Sequence, residues 1–297
     1  MDVIQLNHVT KTIGDFTLGP IDAAIPSGSI CAIVGDNGAG KSTLIKMIMG
    51  LAKETEGEVF LFGKKRDLSE EGWRKRIAYQ SQTLKGIDRF TGKDLTQLIS
   101  RFSVRFNHAA FKRYAEDLDL SLNKPIVNLS EGLQKKLNVA LTLAQQAELL
   151  IFDEPSAHMD LMAQRYVMDE MIKQMEENPN KTILIASHQM DDIRKLADYI
   201  MIIRKGKFLG LFEKDELISR FVRYWVNRAV PESIEGVVKK QQQGQELISI
   251  NEHDTEQSLQ RLGITILQKS NIEIDDIIPW ILSDEIKLEP RETSFIR

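Results

Sequence analysis

Hydrophobic and polar residues follow two patterns along most of the chain. VIQLNHV and GEVFLFG alternate between apolar and polar positions, which predicts N-terminal antiparallel strands. The unbroken apolar runs SICAIVG, LLIFDE and TILIASH predict central strands that are buried on both faces. Apolar residues three and four positions apart predict helices in KSTLIKMIMGLA, EGLQKKLNVALTLAQQ and MAQRYVMDEMIKQMEE. Since these strands and helices alternate, the pattern predicts an α/β fold.

The pattern changes in two places. Residues 83–128 are more polar and helical, and they predict an inserted helical subdomain whose small core is formed by Phe90, Phe102, Phe106 and Phe111. After residue 217, EGVVKKQQQGQELISINEHDTEQSLQRLGITILQ predicts strand, polar turn, strand, helix and strand. We therefore predict a first domain at 1–217 and a small α+β domain with a loosely attached tail at 218–297. Trp225 and Trp280 are interpreted as packing residues of the second domain.

Composition narrows the class of protein. The 297 residues are 42% apolar and 28% charged, which is enough for a large core, and the net charge of −4 gives no overall basic field, so no nucleic-acid partner is expected. The single cysteine, Cys31, lies in a predicted buried strand and is interpreted as a core residue of a protein in a reducing cytoplasm. The N-terminus lacks a basic patch followed by an apolar run, so no secretory signal is expected. No charge-free apolar run reaches about 18 residues, so any membrane span would come from another chain.

A glycine-rich segment, GDNGAGKST, follows the first buried strand and opens a helix. It fits G-x-x-x-x-G-K-[ST], in which glycines let backbone N–H groups surround phosphate oxygens at the positive end of a helix. Lys41 would place its charge between the β- and γ-phosphates, and the Ser42 hydroxyl is a hard oxygen ligand suited to Mg²⁺. The predicted nucleotide-binding residues of this loop are Gly35, Asp36, Asn37, Gly38, Ala39, Gly40, Lys41, Ser42 and Thr43.

Two later strands deliver candidate catalytic residues to the same edge of the sheet. LLIFDEP ends with two acids, and we predict that Asp153 belongs to the Mg²⁺ shell. Glu154 is predicted to act on the attacking water, as general base or as its orienting acceptor. TILIASH ends with His188, a donor that can reach a γ-phosphate from this edge. Lys41, Glu154 and His188 are thus the predicted catalytic residues.

The order of GDNGAGKST, NLSEGLQ, IFDEPSAHMD and ASH resembles the nucleotide-binding subunit of an ABC transporter over about residues 1 to 217. The resemblance implies a P-loop NTPase cassette with a mixed sheet, an antiparallel N-terminal part and the helical subdomain at 83–128. It also implies ATP and Mg²⁺ as cofactors and a dimer of two cassettes, either homodimer or heterodimer. A separate transmembrane permease would contact the helical subdomain, and the subunit would be cytoplasmic and peripheral on the inner face of the membrane.

The resemblance also assigns residues outside the phosphate loop. In IAYQSQ, the family spacing selects Gln82 over Gln80 as the residue that touches Mg²⁺ and senses the membrane partner. NLSEGLQ resembles the signature segment, so Ser130 and Gly132 would offer donors to a γ-phosphate held by the other subunit. SAHMD resembles the D-loop, with Asp160 crossing the dimer interface.

Several positions differ from the family pattern. Ile13 stands where the family usually has an aromatic ring against adenine, and Phe16 is the alternative. The signature departs from LSGGQ at Glu131 and Leu133. Glu131 would repel the phosphate unless its side chain turns away. His158, in the D-loop, is interpreted either as a packing residue or as a regulatory one.

The second predicted domain indicates one branch of the family. Its order of elements, ending in NIEIDDIIPWIL, resembles the small C-terminal domain of drug- and peptide-exporter ATPases, while the alternative is a generic ββαβ appendage for dimer contacts or stability. The sequence thus predicts an ATPase subunit of an exporter of drugs, peptides or other amphipathic compounds. The rival hypothesis is an ABC-type ATPase without a membrane partner, acting in regulation, translation or repair. Such a protein would normally have two cassettes or a long coiled coil, and a non-catalytic cassette would be expected to lack Lys41, Glu154 or His188.

Overall fold

Six strands form the central sheet in the computed structural model, which describes residues 1–231 and 233–286. They are β3 (Ile30–Val34), β6 (Ile77–Gln80), β7 (Leu149–Asp153), β8 (Thr182–Ala186), β9 (Tyr199–Arg204) and β10 (Lys207–Glu213). Their spatial order is β10-β9-β3-β8-β7-β6, and β3, β6, β7, β8 and β9 pair in parallel. Every residue of β3, β7 and β8 is buried, which confirms the prediction made from their apolar runs.

A second sheet is antiparallel and comes from the N-terminal part of the chain. It contains β1 (Asp2–Ile13), β2 (Phe16–Pro26), β4 (Glu56–Leu61) and β5 (Lys64–Lys65), in the order β2-β1-β4-β5. In this sheet Leu6 of β1 pairs with Ala23 of β2 on one side and with Val59 of β4 on the other. The predicted N-terminal antiparallel strands are therefore confirmed.

Six helices accompany these strands in residues 1–211. They are α1 (Lys41–Ile48), α2 (Gly92–Phe102), α3 (His108–Asp117), α4 (Glu131–Ala144), α5 (Leu161–Glu177) and α6 (Met190–Leu196). Helices α1, α4 and α5 lie where the three- and four-residue spacing predicted them. Short 3-10 turns at Arg74–Arg76 and Ile126–Asn128 precede β6 and α4.

The core lies on both faces of the central sheet because successive side chains of a strand point to opposite faces. On one face, Leu150 and Phe152 of β7 pack in a cluster with residues of α3, α4 and α5. On the other face, Leu149 and Ile151 pack in a cluster with residues of α1 and of the antiparallel sheet. Cys31 belongs to this second cluster and is fully buried, as predicted.

The predicted phenylalanine core of residues 83–128 is wrong in part. Phe111 is buried and Phe106 packs partly against the same cluster, but Phe90 and Phe102 are 39% and 75% exposed. Phe111 and Tyr114 belong to the large cluster that also contains Phe152 of the central sheet. The helices α2 and α3 therefore have no separate small core, because their apolar side chains join the core of the sheet.

The chain divides into two compact units, Met1–Leu211 and Phe212–Arg297. The second unit has a four-stranded antiparallel sheet of β11 (Val222–Val226), β12 (Val237–Gln241), β13 (Glu246–Ser249) and β14 (Ile266–Asn271), in the order β12-β13-β11-β14. Its helices are α7 (Lys214–Ser219), α8 (Glu252–Arg261) and α9 (Ile274–Leu282). The predicted boundary after residue 217 falls inside α7.

The sequence pattern of the second unit matches the structure from β12 to β14. Strand β11, in the centre of the sheet, was missed by the sequence analysis. Trp225 and Trp280 are half-buried, and the ammonium of Lys239 lies 4.3 Å from the centroid of the Trp280 ring. The tail that the sequence predicts to be loosely attached lies, beyond Ile286, outside the described residues. In the described ranges, no helix combines the length and the hydropathy that crossing a membrane requires.

Candidate nucleotide site

The phosphate loop runs from the end of β3 to the start of α1, and two of its positions require glycine for different reasons. A Cβ at Gly35 would lie 2.1 Å from the carbonyl oxygen of Ile203, so the close approach of this backbone excludes a side chain. Gly40 has φ = 114°, which L-residues with side chains rarely adopt, and a Cβ there would lie 2.9 Å from Leu18.

Lys41 is the first residue of α1 and is buried, with 7% of its surface exposed. Its ammonium donates hydrogen bonds to the carbonyl oxygens of Gly35 and Asp36, at 2.7 and 3.3 Å, and lies 3.8 Å from Oε1 of Glu154. A buried ammonium that is held by carbonyls of its own loop can exchange these acceptors for phosphate oxygens. This arrangement suits a polyphosphate ligand.

Oxygen ligands for a metal ion lie next to the loop. Asp153 ends β7 and is buried, and burial raises the pKa of its carboxyl group, while a hydrogen bond with the Ser42 hydroxyl opposes that shift. Gln82 lines the same cavity. A hydroxyl, a carboxylate and an amide oxygen form the hard donor set that Mg²⁺ prefers, so these residues fit the expected metal.

Glu154 and His188 meet at the carboxyl edge of the sheet. Nδ1 of His188 lies 2.7 Å from Oε2 of Glu154, and the two residues follow adjacent strands, β7 and β8. Glu154 has φ = 53°, and its backbone N–H donates to the carbonyl of Ala186 at 2.8 Å. A positive φ in a non-glycine residue is a strained conformation that clusters at functional sites. Sequence analysis predicted both residues, and the structure brings them into contact.

A cavity of about 440 Å³ joins the phosphate loop to Gln82, Asp153 and Glu154, while His188 lies outside its described lining. Its lining is Phe16, Asp36, Asn37, Gly38, Gly40, Lys41, Ser42, Thr43, Gln82, Asp153 and Glu154. Of the remaining predicted loop residues, Gly35 contributes its carbonyl to Lys41, and Ala39 is buried behind the loop. Ile13 is 55% exposed, while the ring of Phe16 lines the cavity. Gln80, which the sequence analysis rejected in favour of Gln82, is fully buried in β6.

Comparison with known proteins decides the fold of the first unit. Residues 18–157 match the family model described as ABC transporter. A dimeric structure of a bacterial ABC transporter cassette superposes with a TM-score of 0.63 at 25% identity, over 71% of this chain and 98% of that one. The first unit has the fold of an ABC ATPase cassette.

Two curated relatives extend the match in sequence. The nucleoside import ATP-binding protein NupA of Lactococcus lactis subsp. cremoris is 31% identical over 244 residues, covering 77% of this chain and 47% of NupA. The bacitracin transport ATP-binding protein BcrA of Enterococcus faecalis is 28% identical over 225 residues, covering 75% of this chain and 73% of BcrA. The chain therefore spans about half the length of NupA and most of BcrA.

The signature segment of the cassette begins α4. Ser130 is exposed and caps the helix, and its hydroxyl accepts from the N–H of Leu133 at 3.3 Å. Neither Ser130 nor Gly132 belongs to the described lining of the phosphate-loop cavity of its own chain. Asp160 is likewise outside that lining and caps α5 by accepting from the N–H of Ala163 at 2.9 Å.

Contacts within the cassette tie the signature segment to the D-loop. A Cβ on Gly132 would lie 2.6 Å from the carbonyl oxygen of His158, so only glycine fits at this close approach. Nδ1 of His158 lies 3.5 Å from Oε2 of Glu131, with both side chains largely exposed. The Lys136 ammonium lies 2.6 Å from Oδ2 of Asp160 and, through this hydrogen bond, lowers the pKa of that carboxyl group. The structure thus pairs Glu131 with His158, two of the residues that depart from the family pattern.

Lys135 is a buried residue of the cassette that sequence analysis missed. Its ammonium donates to the carbonyl oxygens of Gln82 at 2.9 Å and Asp153 at 3.2 Å, and burial lowers its pKa to about 8. Its neighbours in α4 include the polar residues Gln134, Lys136 and Asn138, so neither composition nor periodicity marked Lys135 or its acceptors. Lys135 therefore joins the signature helix to two of the three segments that supply candidate metal ligands.

Proposed function

We propose that this chain is the ATP-hydrolysing subunit of an ABC transporter and that two cassettes close around two ATP molecules. The observation that carries the proposal is the 2.7 Å contact between Glu154 and His188 beside a phosphate loop whose lysine is buried. The names of NupA and BcrA, an import and a transport ATP-binding protein, support a role in transport.

ATP binding uses the groups of the phosphate loop. Phosphate oxygens replace the loop carbonyls as acceptors of Lys41, and the N–H groups at the start of α1 hold the remaining charge. Ser42, Gln82 and Asp153 would hold Mg²⁺, which neutralises charge on the phosphates when it is bound. Adenine packs against Phe16, because that ring lines the cavity and Ile13 does not.

Hydrolysis uses the two residues at the edge of the sheet. Glu154 accepts a hydrogen bond from the attacking water and orients it towards the γ-phosphate. Since Nδ1 of His188 is held by the Glu154 carboxylate, the other ring nitrogen, Nε2, is the one that faces the γ-phosphate. The contact between the two side chains thus fixes both in one orientation.

A second cassette completes the site. Ser130, Gly132 and Asp160 lie outside the described lining of their own cavity, so they serve the nucleotide of an identical or related second chain. The similar bacterial cassette was solved as a dimer. A lone chain therefore binds ATP but hydrolyses it slowly.

Glu154→Gln tests the proposal. We expect turnover to fall about 10²- to 10⁴-fold, because the amide cannot accept the proton of the water. ATP binding remains, so size-exclusion chromatography should show a stable ATP-dependent dimer.

The matched control is Glu177→Gln, an exposed acid at the end of α5, which should leave turnover and dimerisation unchanged. Normal turnover in Glu154→Gln would overturn the role of Glu154. If the elution volume of the variant does not depend on ATP, the proposed ATP-dependent dimer is wrong.

An exposed apolar surface near α2 is the proposed contact with a permease. Leu98, Phe102 and Val104 are 41%, 75% and 77% exposed. Leu98 and Phe102 line a groove whose lining also includes two basic residues, Arg74 and Lys75, and one acid, Glu71. This combination favours a partner segment that is apolar with acidic flanks, and through it the cassette would lie on the cytoplasmic face of the membrane.

Phe102→Asp tests this contact. The variant should lose co-purification with a co-expressed permease subunit, while ATP hydrolysis by the isolated chain stays unchanged. Leu262→Asp, at an exposed leucine of the second unit, is the control and should co-purify normally. If no permease associates even with the unaltered chain, the rival hypothesis of an ABC ATPase without a membrane partner gains support.

The second unit supports export as the direction of transport, with a drug, peptide or other amphipathic compound as cargo, and the name of BcrA, a bacitracin transport protein, supports a cargo of this kind. The unit is an accessory domain of β11 to β14 with α8 and α9, and its last helix carries the acidic pair Asp275 and Asp276. The import function in the name of NupA supports the opposite direction. ATP-driven uptake of cargo into inside-out vesicles would support export, and uptake only into right-side-out vesicles would overturn it.

A further inference from the structure

A buried carboxylate links the two loops that carry the candidate catalytic residues. Asp192 lies in α6 and only 2% of its surface is exposed. Its Oδ2 accepts hydrogen bonds from the hydroxyl of Ser156 at 2.6 Å and from the hydroxyl of Ser187 at 2.8 Å. One oxygen atom thus holds two separate segments of chain.

The two serines lie close in sequence to the candidate catalytic residues. Ser187 directly precedes His188, and its hydroxyl also accepts from the N–H of Gln189 at 3.0 Å. Ser156 is two residues after Glu154, at the start of the D-loop. A shift of either serine would therefore move Glu154 or His188.

The burial of Asp192 is costly for stability alone. Its second oxygen, Oδ1, is buried without a hydrogen-bond partner in the part of the chain that the structure describes. Desolvation raises the pKa of this carboxyl group, and the two hydroxyl donors oppose that shift. A buried polar atom without a partner costs about 1–3 kcal/mol, so the burial of Oδ1 opposes the stabilisation that the two serine hydrogen bonds provide.

We propose that Asp192 is a positioning residue that fixes the distance between Glu154 and His188. Glu154 has a strained backbone, which persists only where the surroundings hold it in place. Hydrogen bonds to an ionised acceptor are short and strong, so two of them from one oxygen restrict both loops. The inference rests on the proposed roles of Glu154 and His188.

The test is steady-state hydrolysis by the full-length chain with Asp192→Ala. We expect kcat to fall about 10²-fold, as misplacement of reacting groups by about 1 Å can cause, while the KM for ATP and the affinity for a fluorescent ATP analogue stay within about twofold. Asp192→Asn should retain most of the activity, since its amide oxygen can accept from both serines. A purely structural residue would instead lower the melting temperature and leave kcat of the folded fraction unchanged, which would overturn the proposal.

If Asp192→Ala does not fold, variants of the two serines test the positioning role of Asp192 instead. Ser156→Ala and Ser187→Ala each remove one donor, and the double variant should reduce kcat as much as loss of the carboxylate. If the double variant keeps normal kcat, the proposal is overturned. Asp191→Asn is the matched control, because Asp191 is the exposed neighbour of Asp192 and pairs with Arg194. It should behave like the unaltered chain.

Glu154→Gln, measured in parallel, separates this inference from the proposed function. If Glu154→Gln abolishes turnover but the Asp192 and serine variants do not lower kcat, only the positioning role of Asp192 fails. If Glu154→Gln leaves turnover unchanged, the assignment of the catalytic site fails and the role of Asp192 falls with it.

Discussion

Positively charged side chains have different kinds of acceptor at the nucleotide cavity and in the second unit. At the cavity, the buried ammonium of Lys41 donates hydrogen bonds to backbone carbonyls and lies 3.8 Å from Oε1 of Glu154. The buried ammonium of Lys135, outside the described lining of the cavity, also donates to backbone carbonyls. In the second unit, Arg223 lies between two carboxylates, 3.3 Å from Glu246 and 2.9 Å from Asp276. A cation whose nearest acceptors are two carboxylates contributes to the fold, whereas one whose nearest acceptors are neutral carbonyls can still gain from an anionic ligand. The type of acceptor therefore distinguishes a ligand site from a structural ion pair.

The largest expected effect is that of Lys41→Met. We expect ATP affinity and turnover to fall by at least about 10²-fold, because the methionine cannot neutralise the phosphates. The melting temperature should change little, since the lysine makes its hydrogen bonds to neutral carbonyls. ATP hydrolysis and binding of a fluorescent nucleotide measure the effect, and Lys46→Met on an exposed face of α1 is the control. If Lys41→Met lowers stability but leaves ATP binding intact, the type of acceptor does not distinguish a ligand site from a structural ion pair.

Arg223→Met should give the opposite result. Glu246 has only 8% of its side chain exposed and would lose its partner, so we expect the free energy of unfolding of the second unit to fall by about 1–3 kcal/mol. ATP affinity should not change. Urea unfolding measures the effect, and Arg261→Met, on an exposed helical arginine, is the control. If ATP binding weakens while stability is kept, acceptor type does not separate the two kinds of site.

The smallest effect concerns the exposed pair of Glu131 and His158. Glu131→Gly removes a negative charge from the signature segment and should strengthen ATP-driven dimerisation of the Glu154→Gln form about two- to fivefold. His158→Ala removes the contact that holds Glu131 and should weaken dimerisation by a similar factor. Sedimentation at several ATP concentrations measures both. If both variants shift dimerisation in the same direction, the pair does not hold the Glu131 charge away from the phosphate.

The elements that were predicted correctly are each marked by a pattern within a short stretch of sequence. Strands β3, β7 and β8 are unbroken apolar runs, and the phosphate loop is a spacing of glycines and a lysine. Strand β11 was missed because VRYWV is a short segment with an arginine inside it and no turn signal beside it. Phe90 and Phe102 were wrongly placed in a core because residue type does not tell which side of a helical insertion faces the sheet.

Contacts between residues that are far apart along the chain could not be predicted from the sequence. Lys135 and its acceptor Gln82 are 53 positions apart, and Asp192 and Ser156 are 36 apart. Periodicity describes neighbours on one helix or strand, so it carries no information about such pairs. Asp153, Glu154 and His188 could be predicted because each follows a strand, where the edge of a parallel sheet gathers such residues. Lys41 and Ser42 were predicted from the spacing of the glycine-rich loop, and Gln82 from the family resemblance alone. The residues that orient them could not be predicted.

The close approach at Gly132 has a thermodynamic consequence. Because the carbonyl oxygen of His158 lies 2.6 Å from the place that a Cβ of residue 132 would take, the signature segment cannot move towards the D-loop without displacing it. Coupling free energy between two sites is reciprocal. A ligand whose binding moves the signature segment in that direction therefore displaces the D-loop, and a protein contact that displaces the D-loop changes the affinity for that ligand by the same factor.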